Sequence, residues 1–287
     1  MFESHCQFLL NNFLNPWAKK YLSLSINNSY NKNNDLCGLI IDDRPNEILR
    51  FSVLNTLLMT NLKLPIKIYT TKKSLLNTTK LFSDFIDHTQ LIEIVTLETN
   101  KINIRFYNNL LKSLDLWADL TASKILVFQT DSLIIEPMEY SMFDFDYIGA
   151  LFCKGKSRCI RFPLFNKESQ KEIGSTWINQ IYNADLIPEV LMGNGGLSIR
   201  SRKIMMRICS NETSEPNENE DIFFSRYIRK YSQNIPGNTK IINRFSIEAD
   251  FHNSIGYHGS HFYLDHSELS SIYDRHIKNV IGLISLY

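Results

Sequence analysis

Four short stretches of this chain hold residue types that could do chemistry. The first is Gln129-Thr130-Asp131-Ser132, directly after the apolar run Lys124–Phe128. A carboxylate fixed by the end of a buried strand suits a divalent cation, because Mg²⁺ and Mn²⁺ take oxygen ligands and leave positions for substrate phosphates. Asp and Ser after a strand also serve as plain turn residues that bond their local backbone. The second stretch is Gly193-Asn194-Gly195-Gly196. Adjacent glycines let a backbone approach a ligand closely, or merely supply positive φ for a turn. Neither G-x-G-x-x-G nor G-x-x-x-x-G-K is present, so no dinucleotide fingerprint or phosphate loop is implied. The third is Asn219-Glu220-Asp221 ahead of an apolar helix. Paired acids there answer the helix dipole, or supply a general base for an acceptor hydroxyl. The fourth is Gly256-Tyr257-His258-Gly259, whose imidazole is either a neutral metal ligand or a solvated loop side chain. His252, His261 and His266 lie close to it in sequence.

Such groups need elements to position them. The residues from Cys37 onward alternate strand and helix patterns. A strand over 39–41 ends in Asp42-Asp43-Arg44-Pro45, and Pro45 suits the first turn of a helix over 47–60. Strands follow over 66–69 and 91–97. Phe106, Leu110, Leu111, Leu114 and Trp117 have the spacing of one amphipathic helix before the strand Lys124–Phe128. Alternation of this kind predicts an α/β domain: a mostly parallel central sheet with helices on both faces. Ligands of such sheets bind beyond the carboxyl ends of the strands. That rule singles out Asp42, Asp43 and Arg44 after the first strand, Thr70 and Thr71 after the second, and Gln129, Thr130, Asp131 and Ser132 after the fourth. Further strands are expected over 147–150, 197–199 and 241–247. Helices are expected over 202–209, with Ser201 as cap, and over 221–231, with His258 and His261 in the loop after the last strand.

Bulk properties exclude several classes. The 287 residues carry 31 Lys and Arg against 30 Asp and Glu, so no net field points to nucleic acid or an acidic membrane. No run of about eighteen apolar residues is present to span a bilayer. Five scattered cysteines without C-x-x-C fit a reduced, cytoplasmic protein, with a Cys153–Cys159 loop bridge as the minor alternative. Residues 1–35 read as a helical patch that docks on the main domain, followed by an Asn/Ser-rich linker over 27–34. Residues 262–287 read as a helical tail. The basic stretch with Lys154, Lys156, Arg158 and Arg161 is either a solvated face or a loop that recognises an acidic acceptor.

In order along the chain stand F-Q-T-D-S, D-Y-I-G-A, G-N-G-G-L-S-x-R, E-D-x-F-F and G-x-H, with D-D-R-P at Asp42–Pro45 and Y-N-x-L-L-x-S-x-x-x-W at Tyr107–Trp117 ahead of them. This set resembles an uncharacterised-domain family of GT-A-type glycosyltransferases that carries a Q-T-D-S signature. The resemblance covers residues 36–261 and implies a single GT-A-like (Rossmann-like) domain. It further implies transfer of a hexose from a UDP- or GDP-sugar to a glycan, lipid-linked or protein acceptor, with inversion and peripheral membrane contact at most. It places Mn²⁺ or Mg²⁺ on Asp131, with His258 or else His261 as the second ligand. Gln129 stands where the first acid of a D-x-D motif is usual, a substitution this family shares. By the same resemblance Asp42, Asp43, Arg44 and Arg105 lie near the nucleotide and Gly195 and Gly196 floor the site. Asp221 is the general base, with Glu220 as alternate. The chain departs from the family at Leu151-Phe152, where Pro-Trp is usual, and at Gly259-Ser260-His261, where Lys-Pro-Trp is usual. A rival expectation is a non-catalytic nucleotide- or glycan-binding module on the same scaffold. A metal-dependent hydrolase has less support, since no cluster supplies a catalytic zinc set.

Overall fold

The most apolar runs of the sequence become neighbours in the middle of a sheet. The computed structural model describes residues 1–25, 35–86, 91–152, 161–165, 172–177, 192–249 and 251–287. Strand β1 (Leu36–Ile41) is buried at every position, and β4 (Lys124–Phe128) at all but its first, as interior strands of a parallel sheet must be. With β2 (Ile66–Thr71), β3 (Ile92–Leu97), β6 (Tyr147–Leu151) and β9 (Met192–Ser201) they form a six-stranded sheet of order β3-β2-β1-β4-β9-β6. The β3, β2, β1 and β4 strands pair in parallel, while β9 runs antiparallel to both β4 and β6. Three short strands, β5 (Ser132–Ile134), β10 (Ser246–Ile247) and β11 (Gly256–His258), make a second sheet of order β10-β11-β5. A hairpin of β7 (Arg161–Phe165) and β8 (Glu172–Trp177) stands apart from both.

Helices α1 (Phe2–Leu9) and α2 (Asn15–Ser25) are joined by a π-helical turn, Leu10–Leu14. Their Cys6, Leu9, Leu14 and Trp17 are buried in the same core as the sheet, against α3 (Glu47–Met59). Asn46 caps α3 by accepting from the Leu49 N–H, so Pro45 lies before the cap and not in the first turn. Helices α4 (Lys72–Leu81) and α5 (Ser83–Ile86) connect β2 to β3. The single helix expected around Phe106–Trp117 is two, α6 (Ile104–Leu111) and α7 (Leu114–Asp119). Ser113 starts the second by accepting from the Leu116 N–H, and the Trp117 indole donates back to the Leu111 carbonyl at 2.7 Å. By the right-handed crossover rule, this strand order calls for α3 and α4 on one face of the sheet and α6 and α7 on the other.

The second half holds α8 (Arg202–Asn211), α9 (Glu220–Tyr231), α10 (Thr239–Phe245) and α11 (His266–Ile284). The expected strand over 241–247 is mostly α10. Asn238 caps it, and Ile242 and Phe245, three apart, form its buried face, leaving two extended residues for β10. Ser201 holds the N-cap position of α8 without a side-chain capping bond. His258 ends a strand rather than standing in a loop. The linker over 27–34, Cys153, Cys159, Lys154, Lys156 and Arg158 lie outside the described residues. Among the described residues no helix is long and apolar enough to cross a membrane.

Candidate active site

Strand order reverses between β1 and β4, and the crevice at such a switch is where open α/β sheets hold ligands. Asp42 leaves β1 there, almost fully buried. Its carboxylate accepts from the Arg44 backbone N–H at 2.7 Å and from the Arg44 guanidinium at 3.1 and 2.6 Å. Arg44 also reaches Thr130 Oγ1 at 3.0 Å, tying the end of β1 to the turn after β4. Asp43 accepts from the Ile102 N–H at 2.8 Å and so fixes the loop ahead of α6. Thr70 is buried and Arg105 is exposed on α6; neither lines the crevice.

Beyond β4 the chain turns into β5, which pairs with β11 in a register that sets His258 opposite Ser132. That register carries the imidazole to Asp131: Nε2 stands 3.5 Å from Asp131 Oδ1 and 3.2 Å from Gln129 Oε1. Oδ1 is buried and has no hydrogen-bond partner. Burial works against the Asp131 charge, but the His258 ring outweighs it and holds the carboxyl below its usual range. Burial likewise lowers the His258 pKa, and Asp131 more than restores it. An orphaned buried carboxylate oxygen facing an imidazole nitrogen fits a divalent cation completed by ligand oxygens. Among the described residues no three His, Cys, Asp or Glu side chains gather as a closed metal cage. His261 lines the larger cleft with Asp131, its ring stacked on Phe2 at 4.2 Å between ring centres and against Phe262 at 4.0 Å.

The glycine stretch is the start of β9. Pairing with β6 slips between Gly149 and Ala150, from Ser198 to Asn194, so residues 195–197 bulge out of that ladder. The bulge is tied to β4 by the Gln129 N–H and Ser132 Oγ, which both donate to the Gly196 carbonyl, at 2.9 and 2.7 Å. A Cβ on Gly196 would overlap the His258 ring, and one on Gly195 would overlap Glu220 and Arg200. These glycines are there for close approach, with both backbone and ring packed into one small space.

Glu220 and Asp221 open α9, whose entry is set by Asn108: its Oδ1 accepts from the Glu220 N–H at 2.9 Å. Glu220 is buried and grips the fully buried Arg200 of β9 with both carboxylate oxygens. Arg200 also donates to Ser198 Oγ at 2.9 Å and to the Gly195 carbonyl at 3.3 Å. Burial opposes the Arg200 charge and Glu220 more than restores it. Asp221 instead faces a pocket. Burial, then the neighbouring Glu220 charge, pushes its carboxyl up to about 7, a value suited to a general base near neutral pH.

Two adjoining clefts result. The larger, about 610 Å³, runs over Asp42, Asp43, Arg44, Thr130 and Asp131. The smaller, about 300 Å³, holds Gly195, Gly196, Glu220, Asp221 and His258. Ile104, Tyr107 and Gln129 line both and form the partition. Ser132 lies beneath this floor as a tie, not a lining residue. Sequence reasoning missed Arg200, Asn108, and the cleft-wall residues Lys101, Phe2 and Glu3. The Arg closing G-N-G-G-L-S-x-R was a signal for the first. Asn108 stands in the Y-N-x-L-L motif and Lys101 just ahead of it, whereas nothing local marks Phe2 and Glu3, which reach the site from the far end of the chain.

Comparison with solved structures finds a candidate glucose-1-phosphate thymidylyltransferase from Bacillus anthracis, in complex with a sucrose. It is 9% identical, and the match covers 83% of this chain and 94% of that one with a TM-score of 0.37, a likeness too slight to carry any argument. No curated protein matches the chain. The profile of one family matches residues 91–261, a span from β3 through β11 that takes in Gln129, Asp131, Gly195, Gly196, Asp221 and His258. On that match the chain belongs to the family described as Protein of unknown function (DUF5672).

Proposed function

We propose that this protein is a metal-dependent glycosyltransferase that moves a sugar from a nucleotide-sugar donor to a hydroxyl of a glycan, lipid-linked or protein acceptor. One observation carries the reading: the Asp131–His258 pair stands where the two clefts join, and Asp221, its carboxyl near 7, faces the smaller one. The larger cleft takes the nucleoside diphosphate, with Arg44 and Lys101 as its cationic side chains among the described residues. Asp131 and His258 would hold Mn²⁺ or Mg²⁺, whose charge would offset that developing on a departing diphosphate. Asp221 takes the acceptor hydroxyl's proton as that oxygen bonds to the anomeric carbon and the bond from carbon to the diphosphate oxygen breaks. Attack from the face opposite the leaving group inverts the anomeric centre. Glu220 is committed to Arg200 and does not serve as the base.

Incubation with a panel of UDP- and GDP-sugars and Mn²⁺ should release nucleoside diphosphate, at least by slow hydrolysis of one donor. If no sugar is turned over with any divalent ion, the enzymatic reading fails. A non-catalytic binding module is the second reading, favoured by the neutral Gln129 where an acid is usual and by the absence of a closed cage among the described residues. Donor binding with no turnover by the unaltered protein would select it.

A further inference from the structure

We propose that the side-chain amide oxygen of Gln129 is a third protein ligand of the cation site formed with Asp131 and His258. The inference rests on the metal-dependent reading above. Nε2 of His258 faces two oxygens at once, Gln129 Oε1 at 3.2 Å and Asp131 Oδ1 at 3.5 Å. Two ligands each about 2.1 Å from an octahedral ion, at right angles, lie about 3 Å apart. Both spacings from Nε2 therefore suit pairs of donors on one ion.

A hydrogen bond alone accounts for less. One Nε2–H satisfies the amide oxygen at 3.2 Å and leaves buried Asp131 Oδ1 no hydrogen bond, only the longer ion pair with the same ring at 3.5 Å. A cation among the three atoms satisfies all of them together. The backbone holds them in place. Gln129 N–H is bound to the Gly196 carbonyl at 2.9 Å, and the Asp131 carbonyl accepts from the Gly259 N–H at 3.1 Å. Gly196, lacking a Cβ, leaves the volume that the imidazole occupies.

The amide also sets the charge. With Gln in place of an acid, the three ligands bring one negative charge, so affinity in the absence of nucleotide is low and rises when a diphosphate adds its own. An imidazole nitrogen in the set favours Mn²⁺ over Mg²⁺. In this site, cation and nucleotide arrive as partners.

The test is Mn²⁺ binding to the full chain, followed by the electron paramagnetic resonance signal of free Mn²⁺, with no nucleotide and with UDP or GDP as probes. Gln129→Leu should weaken Mn²⁺ binding about tenfold or more, the size of loss seen when a metal site's supporting groups are removed. Gln129→Glu should tighten it by about tenfold without nucleotide, since ligand charge tunes affinity. Circular dichroism checks that both variants fold. Wild-type affinity in Gln129→Glu overturns the proposal, as does wild-type affinity in Gln129→Leu while Asp131→Ala and His258→Ala lose the ion. In that outcome the metal-dependent reading survives. If the unaltered protein binds no Mn²⁺ with or without UDP or GDP, both fall.

Discussion

Glu220 and Asp221 are neighbours with the same charge and opposite employment. Glu220 closes on the buried Arg200, whereas Asp221 faces the smaller cleft with its carboxyl raised to about 7. Asp221→Asn should cut transfer by about 10²–10⁴-fold, the usual contribution of a positioned base, with donor affinity retained by calorimetry. Because the base acts deprotonated, kcat/KM should fall about tenfold per pH unit below about 7 and level off above it. The linked effect on stability has the opposite slope. The folded carboxyl titrates above its ordinary 3.8, so its contribution is complete below that value and lost as pH rises through about 7. Glu220→Gln leaves the Arg200 charge buried without its partner, which should cost about 3–5 kcal/mol in denaturant unfolding. A loss under about 1 kcal/mol would mean that Arg200 finds water. The acid pair itself was legible in the sequence. The partner that occupies Glu220 was not, because Arg200 is twenty residues away and only the β9–α9 packing brings them together.

At the scale of elements, patterning read the strands well because β1 and β4 are continuous apolar runs, buried on both faces. It misread α10, where a short apolar run with an Asn cap fits strand and helix alike until packing decides. The β5–β11 register that joins His258 to Asp131 has no local signal at all. Nor has the link between the two ends of the chain. There His5 Nε2 donates to His276 Nδ1 at 3.0 Å, His276 Nε2 donates to Asn55 Oδ1 at 2.8 Å, and Asn55 Nδ2 donates to the Ile134 carbonyl at 2.8 Å. This chain of donors requires a neutral His276, whose Nδ1 must accept, and burial keeps His5 neutral as well. Burial lowers the His5 pKa from 6.5 to about 4, and burial with the neighbouring His5 lowers His276 well below 6.5. Folded pKa values below the unfolded ones give stability that is complete above about 6.5 and drains as pH falls toward about 4. His5 alone should account for about 3 kcal/mol over that interval. Asp221 gains stability over much of the same interval, so the His contribution is read as a difference: in thermal melts between pH 7.5 and 4.5, the margin of the unaltered protein over His276→Gln should shrink as pH falls. A margin over His276→Gln that does not change with pH would contradict the neutral pair.

Over the whole molecule, the sequence suggests an extension, a domain and a tail, yet the buried contacts cross those limits. Cys6 and Leu9 of α1, the α3 face that includes Phe51, and Ile272 and Val280 of α11 belong to one continuous core with the central sheet. The same α1 that carries His5 into this core brings Phe2 and Glu3 to the wall of the larger cleft, where Phe2 stacks on His261. The shared core and the wall of the larger cleft therefore have α1 in common. Deleting residues 2–9 should lower the melting temperature of the entire protein in one transition, since a lost face of a shared core destabilises every element that packs on it. It should also remove the gain in melting temperature that UDP or GDP with Mn²⁺ gives the full chain, which at a hundred times Kd is worth about 2.7 kcal/mol. Calorimetry of the shortened chain decides the matter. A second, unshifted transition would show that residues 36–261 form a body independent of α1. A nucleotide-dependent gain that survives the deletion would show that Phe2 and Glu3 border the cleft without shaping what it binds.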